Sequence, residues 1–395
     1  MTRRQDRSRS AGPSILISAV EPSGDLLGAA LMAAIQKTDS GTEFFGCGGQ
    51  SMSEAGLASL FPIDALSVFG PVDALMAAPR AYSCARKLAR AAAQHKPEAA
   101  VLIDSWVFSR MAAAAIRKAS PSTTLIKYVA PQVWASRPTR AKTLARLFDG
   151  VLTLFEFEPH WFEQEGAKAR FVGNSTFQRA SDEKGDGAAF RARHNLGDAP
   201  LLVVALGSRR GEVLRLADPF REACARVREV EPRLKICITA APAVFEETKR
   251  TAQTFPSPTH VVGPEERYDA FAAATAALAA SGTVSSELAI HEAPLVVGYK
   301  VSSLAAFYLR RVITTDHVTL LNIAAGREVI PEFLQENCTG EALAEALIPL
   351  ICNPEARNAQ SAAVKKALPA LGVSGPAAAD LAADTVLEWI GVDRH

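Results

Sequence analysis

Short apolar runs alternate with stretches of helical periodicity along nearly the whole chain. Apolar runs of this kind are typical of strands that are buried on both faces of a parallel sheet. They occur, in chain order, at residues 15–20, 44–49, 99–103, 125–129, 150–155, 169–172, 201–206, 235–239, 260–262, 276–280 and 295–298. Because helix-period segments separate these runs, the alternation predicts an α/β fold with doubly wound parallel sheets.

A polar stretch at residues 176–200 divides these strands into two series, and a length of 395 residues is typical of two domains. The predicted parts are a disordered basic tail at 1–12, an N-terminal domain at 13–175, a linker at 176–200, a C-terminal domain at 201–368, and a helical segment at 369–395 that can pack back on the N-terminal domain. Two Rossmann-like sheets that face each other form a cleft at the carboxyl ends of their strands, where ligands bind in open α/β folds.

A turn of small residues follows the strand predicted at 276–280. Ser281, Gly282 and Thr283 lead toward a helix predicted at 287–293. Free backbone N–H groups and the helix dipole make such a turn a candidate anion site. Glu287 lies about one turn inside the helix, where a carboxylate can bind a sugar diol. The pattern fits a nucleoside diphosphate, although a small-residue helix cap with a surface glutamate explains it too.

The strand predicted at 201–206 ends in a second candidate anion site. Gly207 and Ser208 allow an anion to approach closely, and Arg209 or Arg210 can neutralise it with a planar donor fork. A loop with two solvated arginines is the alternative. Together with the turn at 281–283 in the same half, this pattern favours a diphosphate site.

A further polar group follows in the second half. Asn322, at a predicted strand end before a helix, and Arg327 can each contact a sugar or a phosphate. We expect Glu332, Gln335 and Glu336 to form a solvated helix face instead.

In the first half, Asp104 follows the apolar run at 99–103. A carboxylate at the carboxyl end of a strand can act as a general base toward an acceptor hydroxyl. Glu21, Ser23 and Asp25 follow the first strand and can share the same site. Capping of the helix predicted at 26–36 explains Asp25 better, and a capping or structural role is also open for Asp104.

An apolar segment at 66–76 precedes a basic helical pattern. Apolar side chains beside arginines suit an anionic lipid surface, but an ordinary buried helix with solvated arginines fits equally well. The candidate lipid contacts are Val68, Phe69, Val72, Leu75, Met76 and Arg80.

Composition narrows the classes of protein and site. A formal net charge of +1 lacks the basic excess of a nucleic-acid binder, so no nucleic-acid partner is expected. The six cysteines are scattered without a CxxC pair, which favours reduced thiols in a cytosolic protein. The seven histidines show no metal spacing and the chain has no Asp-x-Asp, so no metal is expected. Neither a signal peptide nor a membrane span is predicted, which favours a soluble or peripheral protein.

The motifs between residues 15 and 350 resemble, in order and spacing, those of the lipid-A-disaccharide synthases. They include Glu-Pro-Ser-Gly-Asp-Leu-Leu-Gly at 21–28, Ile-Asp-Ser at 103–105 and Gly-Ser-Arg-Arg-Gly-Glu at 207–212. The other matching segments are 46–49, 60–62 with 66–70, 128–138, 157–159, 280–289, 296–299 and 322–329.

The resemblance implies a GT-B fold, with two Rossmann-like doubly wound domains that face each other across a cleft. It implies an inverting glycosyltransferase without metal or cofactor, which transfers 2,3-diacylglucosamine from UDP-2,3-diacylglucosamine to 2,3-diacylglucosamine 1-phosphate. The products would be the β-1,6-linked disaccharide 1-phosphate of lipid A biosynthesis and UDP. The enzyme would be peripheral on the anionic cytoplasmic face of the bacterial inner membrane, and an oligomer is compatible with this.

The same resemblance implies roles for single residues. Asp104 matches the essential aspartate, Arg209 the essential arginine, and Glu287 the ribose-binding glutamate of the wider GT-B group. The residues implied to bind the nucleotide are Gly207, Ser208, Arg209, Arg210, Ser281, Gly282, Thr283, Glu287, Asn322 and Arg327. Those implied to line the cleft for acceptor and donor are Glu21, Ser23, Gly24, Asp25, Gly48 and Asn174.

Several positions depart from the family pattern. Val107 stands where the family has a second aspartate, and Asn174 where it has a histidine. Ser136, Leu206 and Leu321 replace a tryptophan and two prolines. These departures leave two alternatives open: a divergent paralogue that uses another UDP-sugar or lipid acceptor, and a catalytically silent paralogue that binds nucleotide or lipid.

Overall fold

The computed structural model describes residues 12–63, 71–256, 259–302, 305–306 and 315–392, and for 71–77 it describes the backbone alone. The described residues form two compact units. Unit 1 contains those of Met1–Ser175 and Gly375–His395, and unit 2 those of Thr176–Ser374. Residues 1–11 of the predicted tail lie outside the described residues, as do Val68 and Phe69. Within the described residues, no helix is long and apolar enough to cross a membrane.

Unit 1 is built on a six-stranded parallel sheet of order β2-β1-β3-β4-β5-β6. Its strands are β1 (Ser14–Ala19), β2 (Glu43–Cys47), β3 (Ala99–Ile103), β4 (Thr124–Tyr128), β5 (Gly150–Thr153) and β6 (Lys168–Phe171). Its first helices are α1 (Pro22–Thr38), α2 (Gln50–Glu54), α3 (Pro71–His95), α4 (Trp106–Ala119), α5 (Thr139–Leu147) and α6 (Pro159–Glu163).

Both faces of this sheet are buried. Leu16 and Leu102 pack into a core with residues of α3 and α4, whereas Ile17 and Val101 pack into a second core with residues of α1. A strand that is covered on both faces needs apolar residues at successive positions, because its side chains alternate between the faces. This explains the uninterrupted apolar runs of the sequence.

Unit 2 contains a second six-stranded parallel sheet, of order β12-β11-β10-β7-β8-β9. Its strands are β7 (Leu201–Ala205), β8 (Lys235–Thr239), β9 (Thr259–Val262), β10 (Ala276–Ala280), β11 (Leu295–Tyr299) and β12 (Glu332–Leu334). Its helices include α7 (Ser175–Asp182), α8 (Gly187–Arg193), α9 (Arg210–Val230), α10 (Phe245–Ala252), α11 (Arg267–Ala273), α12 (Thr283–Ile290), α13 (Leu320–Ala325), α14 (Gly340–Cys352) and α15 (Pro354–Ala367). Short 3-10 turns lie at Pro242–Val244, Pro264–Glu266, Gln335–Asn337 and Leu368–Leu371.

The last helix, α16 (Ala378–Trp389), returns to unit 1, where it packs beside α1. The Trp389 ring lies against the backbone of β5 at Gly150, where an added Cβ would come within 2.2 Å of the ring. On the next strand, the Arg170 guanidinium binds both carboxylate oxygens of Glu388, at 2.5 and 3.1 Å. An aromatic contact and an ion pair therefore hold the chain's end on unit 1.

Each sheet has one point where the strand order reverses direction. In unit 1 the reversal lies between β1 and β3, where Ala19 pairs with Ile103. In unit 2 it lies between β7 and β10, where Ala205 pairs with Ala279. Ligands of doubly wound folds bind outside the carboxyl ends of the strands at such points. The topology therefore indicates that ligand-binding residues follow these four strands.

Two predictions of local structure were wrong. Asn322 lies inside helix α13, not at a strand end, and Glu332 begins the edge strand β12. The solvated helix face expected for Glu332, Gln335 and Glu336 is replaced by this strand and a 3-10 turn. Three residues are too few to produce a strand pattern, and pairing with β11 decides their conformation.

Candidate active site

The two anion-site turns of unit 2 lie side by side. Gly207 follows β7 and Ser281 follows β10, and these strands are neighbours at the reversal of the sheet. The chain brings the two turns together because both follow the carboxyl ends of paired parallel strands. Sequence analysis placed them in one domain, and the topology makes them adjacent.

The turn after β7 is closed by a carboxylate. Glu212 accepts hydrogen bonds from the backbone N–H groups of Ser208 at 3.0 Å and Arg209 at 3.2 Å, and from the Arg209 guanidinium at 3.0 Å. Gly207 has a φ of +105°, and an added Cβ would lie 2.6 Å from the Glu212 carboxylate. Both N–H groups are therefore committed to Glu212, and the turn offers cationic side chains to an anion instead.

These cationic side chains are open to solvent. The Arg209 side chain is 81% exposed although it contacts Glu212, and the Arg210 side chain is 75% exposed beside Glu247 at 3.4 Å. Exposed guanidinium groups keep most of their five N–H donors available, which suits the oxygens of a diphosphate.

The turn after β10 keeps its backbone donors available. Gly282 is the N-cap of α12 with a φ of +152°, and a Cβ there would meet open space. Ser281 donates from Oγ to the Val318 carbonyl at 3.2 Å. Within the described part of the chain, the backbone N–H groups of Thr283 and Val284 have no hydrogen-bond acceptor. The first turn of α12 therefore presents N–H donors and the positive end of a helix dipole.

Glu287 is the buried acid of this helix, with 5% of its surface exposed. Its Oε1 accepts from the Tyr268 hydroxyl at 3.3 Å and lies 3.4 Å from the Arg267 guanidinium. Burial raises the pKa of Glu287, while Arg267 and Tyr268 oppose this. His291 stacks on Tyr268 at 4.6 Å, and burial lowers its pKa to about 4, assisted by Arg267. Sequence analysis did not identify Arg267 and Tyr268, which lie in α11, or His291, which lies at the end of α12.

Asn322 is fully buried, and the protein satisfies its side chain. Its Oδ1 accepts from the N–H groups of Val329 at 2.7 Å and Ile330 at 2.9 Å. Its Nδ2 donates to the Ile330 carbonyl at 2.7 Å and to Glu332 at 2.8 Å. With four hydrogen bonds to protein, this amide fastens the loop between α13 and β12. Arg327 lies in that loop and is exposed.

Glu332 organises the segment next to the turn after β10. Its carboxylate accepts from the backbone N–H groups of Val318 at 2.9 Å and Thr319 at 2.8 Å, and from the Thr319 hydroxyl at 2.6 Å. Ser281 donates to the Val318 carbonyl, and Glu332, which Asn322 hydrogen-bonds, accepts from the Val318 N–H. Glu332 and Asn322 therefore help to fix the turn after β10 through Val318.

In unit 1, the reversal of the sheet brings Asp104 close to the residues that follow β1. Ser23 donates from Oγ to the Asp104 carboxylate at 3.2 Å. Burial raises the pKa of Glu21, with Asp104 adding to this and a hydrogen bond to Ser105 opposing it. At Gly24, an added Cβ would lie 3.5 Å from that of Asp104. Glu21, Ser23, Gly24 and Asp104 therefore form one group.

Asp25 points elsewhere and caps a helix, although not the predicted one. Its carboxylate accepts from the backbone N–H groups of Gly49 at 2.7 Å, Ser51 at 2.8 Å and Met52 at 3.2 Å. These donors lie at the start of α2, whereas the sequence suggested the helix that contains Asp25 itself. Gly48 lies beside this cap and donates from N–H to Ser59 Oγ at 3.2 Å.

Asn174 is buried and follows the edge strand β6, which is three strands from β3 in the sheet. The Asp104 group lies instead at the strand reversal between β1 and β3.

Lys127 belongs to the Asp104 group and was missed by sequence analysis. It lies within β4 and only 1% of its surface is exposed. Its Nζ donates to the carbonyls of Leu102 at 3.2 Å, Asp104 at 2.5 Å and Tyr128 at 3.0 Å. Burial lowers its pKa to about 7, and the carboxylates of Asp104 and Glu21 oppose this shift. A lysine inside an otherwise apolar strand was the signal that could have identified it.

Two further features bear on ligands. Among the described residues, no group of three or more His, Cys, Asp or Glu side chains could hold a metal ion. Of the candidate lipid contacts, Arg80 is exposed on α3, whereas the side chains of Val72, Leu75 and Met76 are not described.

This chain is similar in sequence, over nearly its whole length, to one family of known proteins. A family model described as lipid-A-disaccharide synthetase matches residues 15–386. The lipid-A-disaccharide synthase of Paramagnetospirillum magneticum is 42% identical over 380 residues, which cover 95% of this chain and 97% of that protein. The enzyme of the same name from Rhodospirillum centenum is 39% identical over 379 residues, which cover 95% and 94%.

A solved structure of similar fold is the UDP-GlcNAc 2-epimerase from Neisseria meningitidis bound to UDP-GlcNAc. It matches with a TM-score of 0.58 at 11% sequence identity, over 95% of this chain and 98% of that chain. This likeness concerns the fold alone. It confirms the predicted GT-B class, with two Rossmann-like α/β domains in one chain.

Proposed function

The chain belongs to the lipid-A-disaccharide synthetase family, and we propose that it transfers 2,3-diacylglucosamine from UDP-2,3-diacylglucosamine to 2,3-diacylglucosamine 1-phosphate. The products are the β-1,6-linked disaccharide 1-phosphate and UDP. The observation that carries this proposal is the Asp104 carboxylate, placed at the strand reversal of unit 1 and hydrogen-bonded by Ser23. An aspartate in this position suits a general base better than a helix cap, because its carboxylate accepts from the Ser23 hydroxyl in the first turn of α1.

The chemical step is a single displacement with inversion. The 6-hydroxyl oxygen of the acceptor forms a bond to the anomeric carbon, and its proton passes to the Asp104 carboxylate. The bond between the anomeric carbon and the UDP oxygen breaks, and its electron pair stays on the departing diphosphate. Inversion at the anomeric carbon gives the β linkage.

Unit 2 stabilises the departing diphosphate. The exposed guanidinium groups of Arg209 and Arg210 neutralise phosphate oxygens, and the N–H groups of Thr283 and Val284 donate from the first turn of α12. The backbone of Ser208 contributes no direct donor in this arrangement, because Glu212 occupies it. Arg327 is an exposed cation in the same unit and can make an additional contact.

The Glu287 carboxylate is proposed to bind the ribose diol. Tyr268 and Arg267 hold one of its oxygens in place. Because these two donors fix the orientation of the carboxylate, its oxygens can accept hydrogen bonds from a diol without having to reorient. Asn322, whose four bonds go to protein, supports the neighbouring loop instead of touching the nucleotide.

Turnover of both diacylated substrates by the purified protein tests the proposal. UDP release, measured by a coupled assay, and formation of the disaccharide, measured by mass spectrometry, are expected with the wild-type chain. Asp104→Asn should lower kcat by about 10²–10⁴-fold and leave UDP affinity unchanged. Asp198→Asn is the matched control, because Asp198 is exposed in a loop of unit 2. No UDP from the wild type, or equal rates for Asp104→Asn and the control, would refute the proposal.

One observation favours an alternative acceptor. Val107, in the first turn of α4 close to Asp104, is 62% exposed. An exposed apolar side chain at this position suits an acceptor with an apolar group beside its hydroxyl. Turnover with a different lipid acceptor, but not with 2,3-diacylglucosamine 1-phosphate, would support this alternative.

Peripheral binding to the anionic inner face of the inner membrane is proposed for α3. Arg80, Arg86 and Lys87 are exposed on this helix, and the Arg86 guanidinium lies 5.9 Å from the ring of the exposed Tyr82. Cosedimentation with anionic vesicles should fall for the double variant Arg80→Glu/Arg86→Glu. The double variant Lys249→Glu/Arg250→Glu makes the same charge change on unit 2 and should bind like wild type. Equal binding by both double variants contradicts the assignment to α3.

A further inference from the structure

Three residues other than glycine adopt left-handed backbone conformations at the ends of two neighbouring strands. Asp104 and Ser105 follow β3 with φ values of +51° and +35°, and Val129 follows β4 with a φ of +67°. Such conformations are costly for residues with a Cβ, most of all for a β-branched valine. They persist only where surrounding contacts determine them, and they cluster at functional sites.

Lys127 supplies contacts of this kind. Its ammonium bonds to the carbonyl of Asp104, which belongs to the peptide unit leading into Ser105. It also bonds to the carbonyl of Tyr128, which belongs to the peptide unit leading into Val129. A third bond, to the carbonyl of Leu102, ties the same ammonium to β3. Ser109 also donates from Oγ to the Asp104 carbonyl, at 2.7 Å, but Lys127 alone bonds to the carbonyls of both Asp104 and Tyr128 among the described residues.

A lysine is an expensive residue at this position. Its side chain is almost fully buried, and within the described residues it forms no salt bridge, so three carbonyls satisfy its charge. Removing an ammonium from water disfavours its charged form. A leucine or methionine would fill the same space inside β4 without this cost. Packing therefore does not explain the ammonium, whereas its hydrogen bonds to the carbonyls of Asp104 and Tyr128 do.

On the basis of the proposed function, we infer that Lys127 is a positioning residue of the glycosyl transfer. Its ammonium keeps the backbone of Asp104 in the conformation that directs the carboxylate toward Ser23 and the acceptor hydroxyl. Lys127 acts through Asp104 and touches no substrate. The inference is independent of nucleotide binding, because the residues proposed to bind UDP lie in unit 2.

The first test is Lys127→Met, which keeps the length of the side chain and removes its donors. The matched control is Lys118→Met, because Lys118 is exposed in the last turn of α4. Misplacing a catalytic group by about 1 Å lowers the rate by roughly 100-fold, so Lys127→Met should lose about that factor in kcat. Its UDP affinity and its KM for the UDP-sugar should match those of the control.

A double variant separates positioning from a general effect on folding. On the Asp104→Asn background, Lys127→Met should lower kcat by less than about 3-fold, because residues that act as a unit are not additive. A full 100-fold loss on that background would overturn the inference. Lys127→Gln, which can still donate two N–H groups to the carbonyls, should retain intermediate activity.

The pH profile of kcat, compared between the wild type and Lys127→Met, gives a further readout. Burial lowers the pKa of Lys127 to about 7, and the charged groups that face it are Asp104 and Glu21. As the pH rises through this region, the ammonium loses one of the three protons that serve three carbonyls. Wild-type kcat should fall between about pH 7 and about pH 9, and Lys127→Met should lack this fall.

The outcomes distinguish the two proposals. Absence of turnover by the wild type refutes the proposed function itself. A folded Lys127→Met with the kcat of Lys118→Met refutes only the role of Lys127.

Discussion

Asn322→Ala tests whether Asn322 supports the protein or touches the ligand. The substitution removes four buried hydrogen bonds and leaves the N–H groups of Val329 and Ile330 without their acceptor. Each buried group left unsatisfied costs about 1–3 kcal/mol, and partial relaxation of the exposed loop at Arg327 reduces the sum. We expect unit 2 to lose about 3 kcal/mol of unfolding free energy.

Differential scanning calorimetry, with and without UDP, measures this loss. A change of this size in a domain of about 200 residues lowers Tm by roughly 6–12 °C. UDP affinity at a temperature where unit 2 is folded should change by less than about 3-fold, because no atom of Asn322 is left to bind the ligand. Asn337→Ala is the matched control, since Asn337 is exposed in a 3-10 turn of the same unit. An unchanged Tm with a tenfold or greater loss of UDP affinity would refute the reasoning.

Three further predictions concern other parts of the molecule. Gly207→Ala places a Cβ at a φ of +105° and 2.6 Å from Glu212. Calorimetric titration should show that this variant binds UDP about tenfold more weakly, whereas Gly197→Ala should not weaken UDP binding. Equal UDP affinities of the two variants would contradict the role of the turn. Trp389→Ala opens a space over Gly150 and should cost unit 1 about 3 kcal/mol in urea unfolding, with no change in unit 2. A loss no larger than that of the surface variant Lys118→Met would argue against the contact. The pKa of His291 is lowered to about 4 from 6.5, so the folded state binds fewer protons than the unfolded state between these pH values. The unfolding free energy of unit 2 should therefore fall by about 2 kcal/mol as the pH falls through this window. His291→Phe should abolish that dependence.

Prediction from sequence succeeded where the determining contacts are local or follow from strand direction. The strands at Ala99–Ile103, Lys235–Thr239 and Ala276–Ala280 have the predicted bounds, because a run buried on both faces is mostly apolar. The sequence also placed the two turns of unit 2 in one domain, but their adjacency depends on the pairing of β7 with β10, which only the structure shows.

It was less successful where a side chain's partner is distant in sequence. The Asp25 carboxylate caps a helix that begins 25 residues later, at Gln50. Glu332 was expected on a solvated surface, but it accepts from Val318 and Thr319 in the interior of unit 2. Nothing in the residues around these two acids distinguishes a surface carboxylate from a buried one with several donors.

The sequence alone determined two doubly wound α/β domains, an aspartate at a strand end in the first domain, and a small-residue turn before a helix in the second. These features depend on hydrophobic periodicity and turn chemistry, which are properties of neighbouring residues. Only the tertiary structure showed that Glu212 occupies the backbone donors of Ser208 and Arg209, that Asn322 is satisfied by protein, and that Lys127 holds the backbone of Asp104. The reason is physical: whether a polar side chain is free to bind a ligand depends on which donors and acceptors the folded chain brings to it.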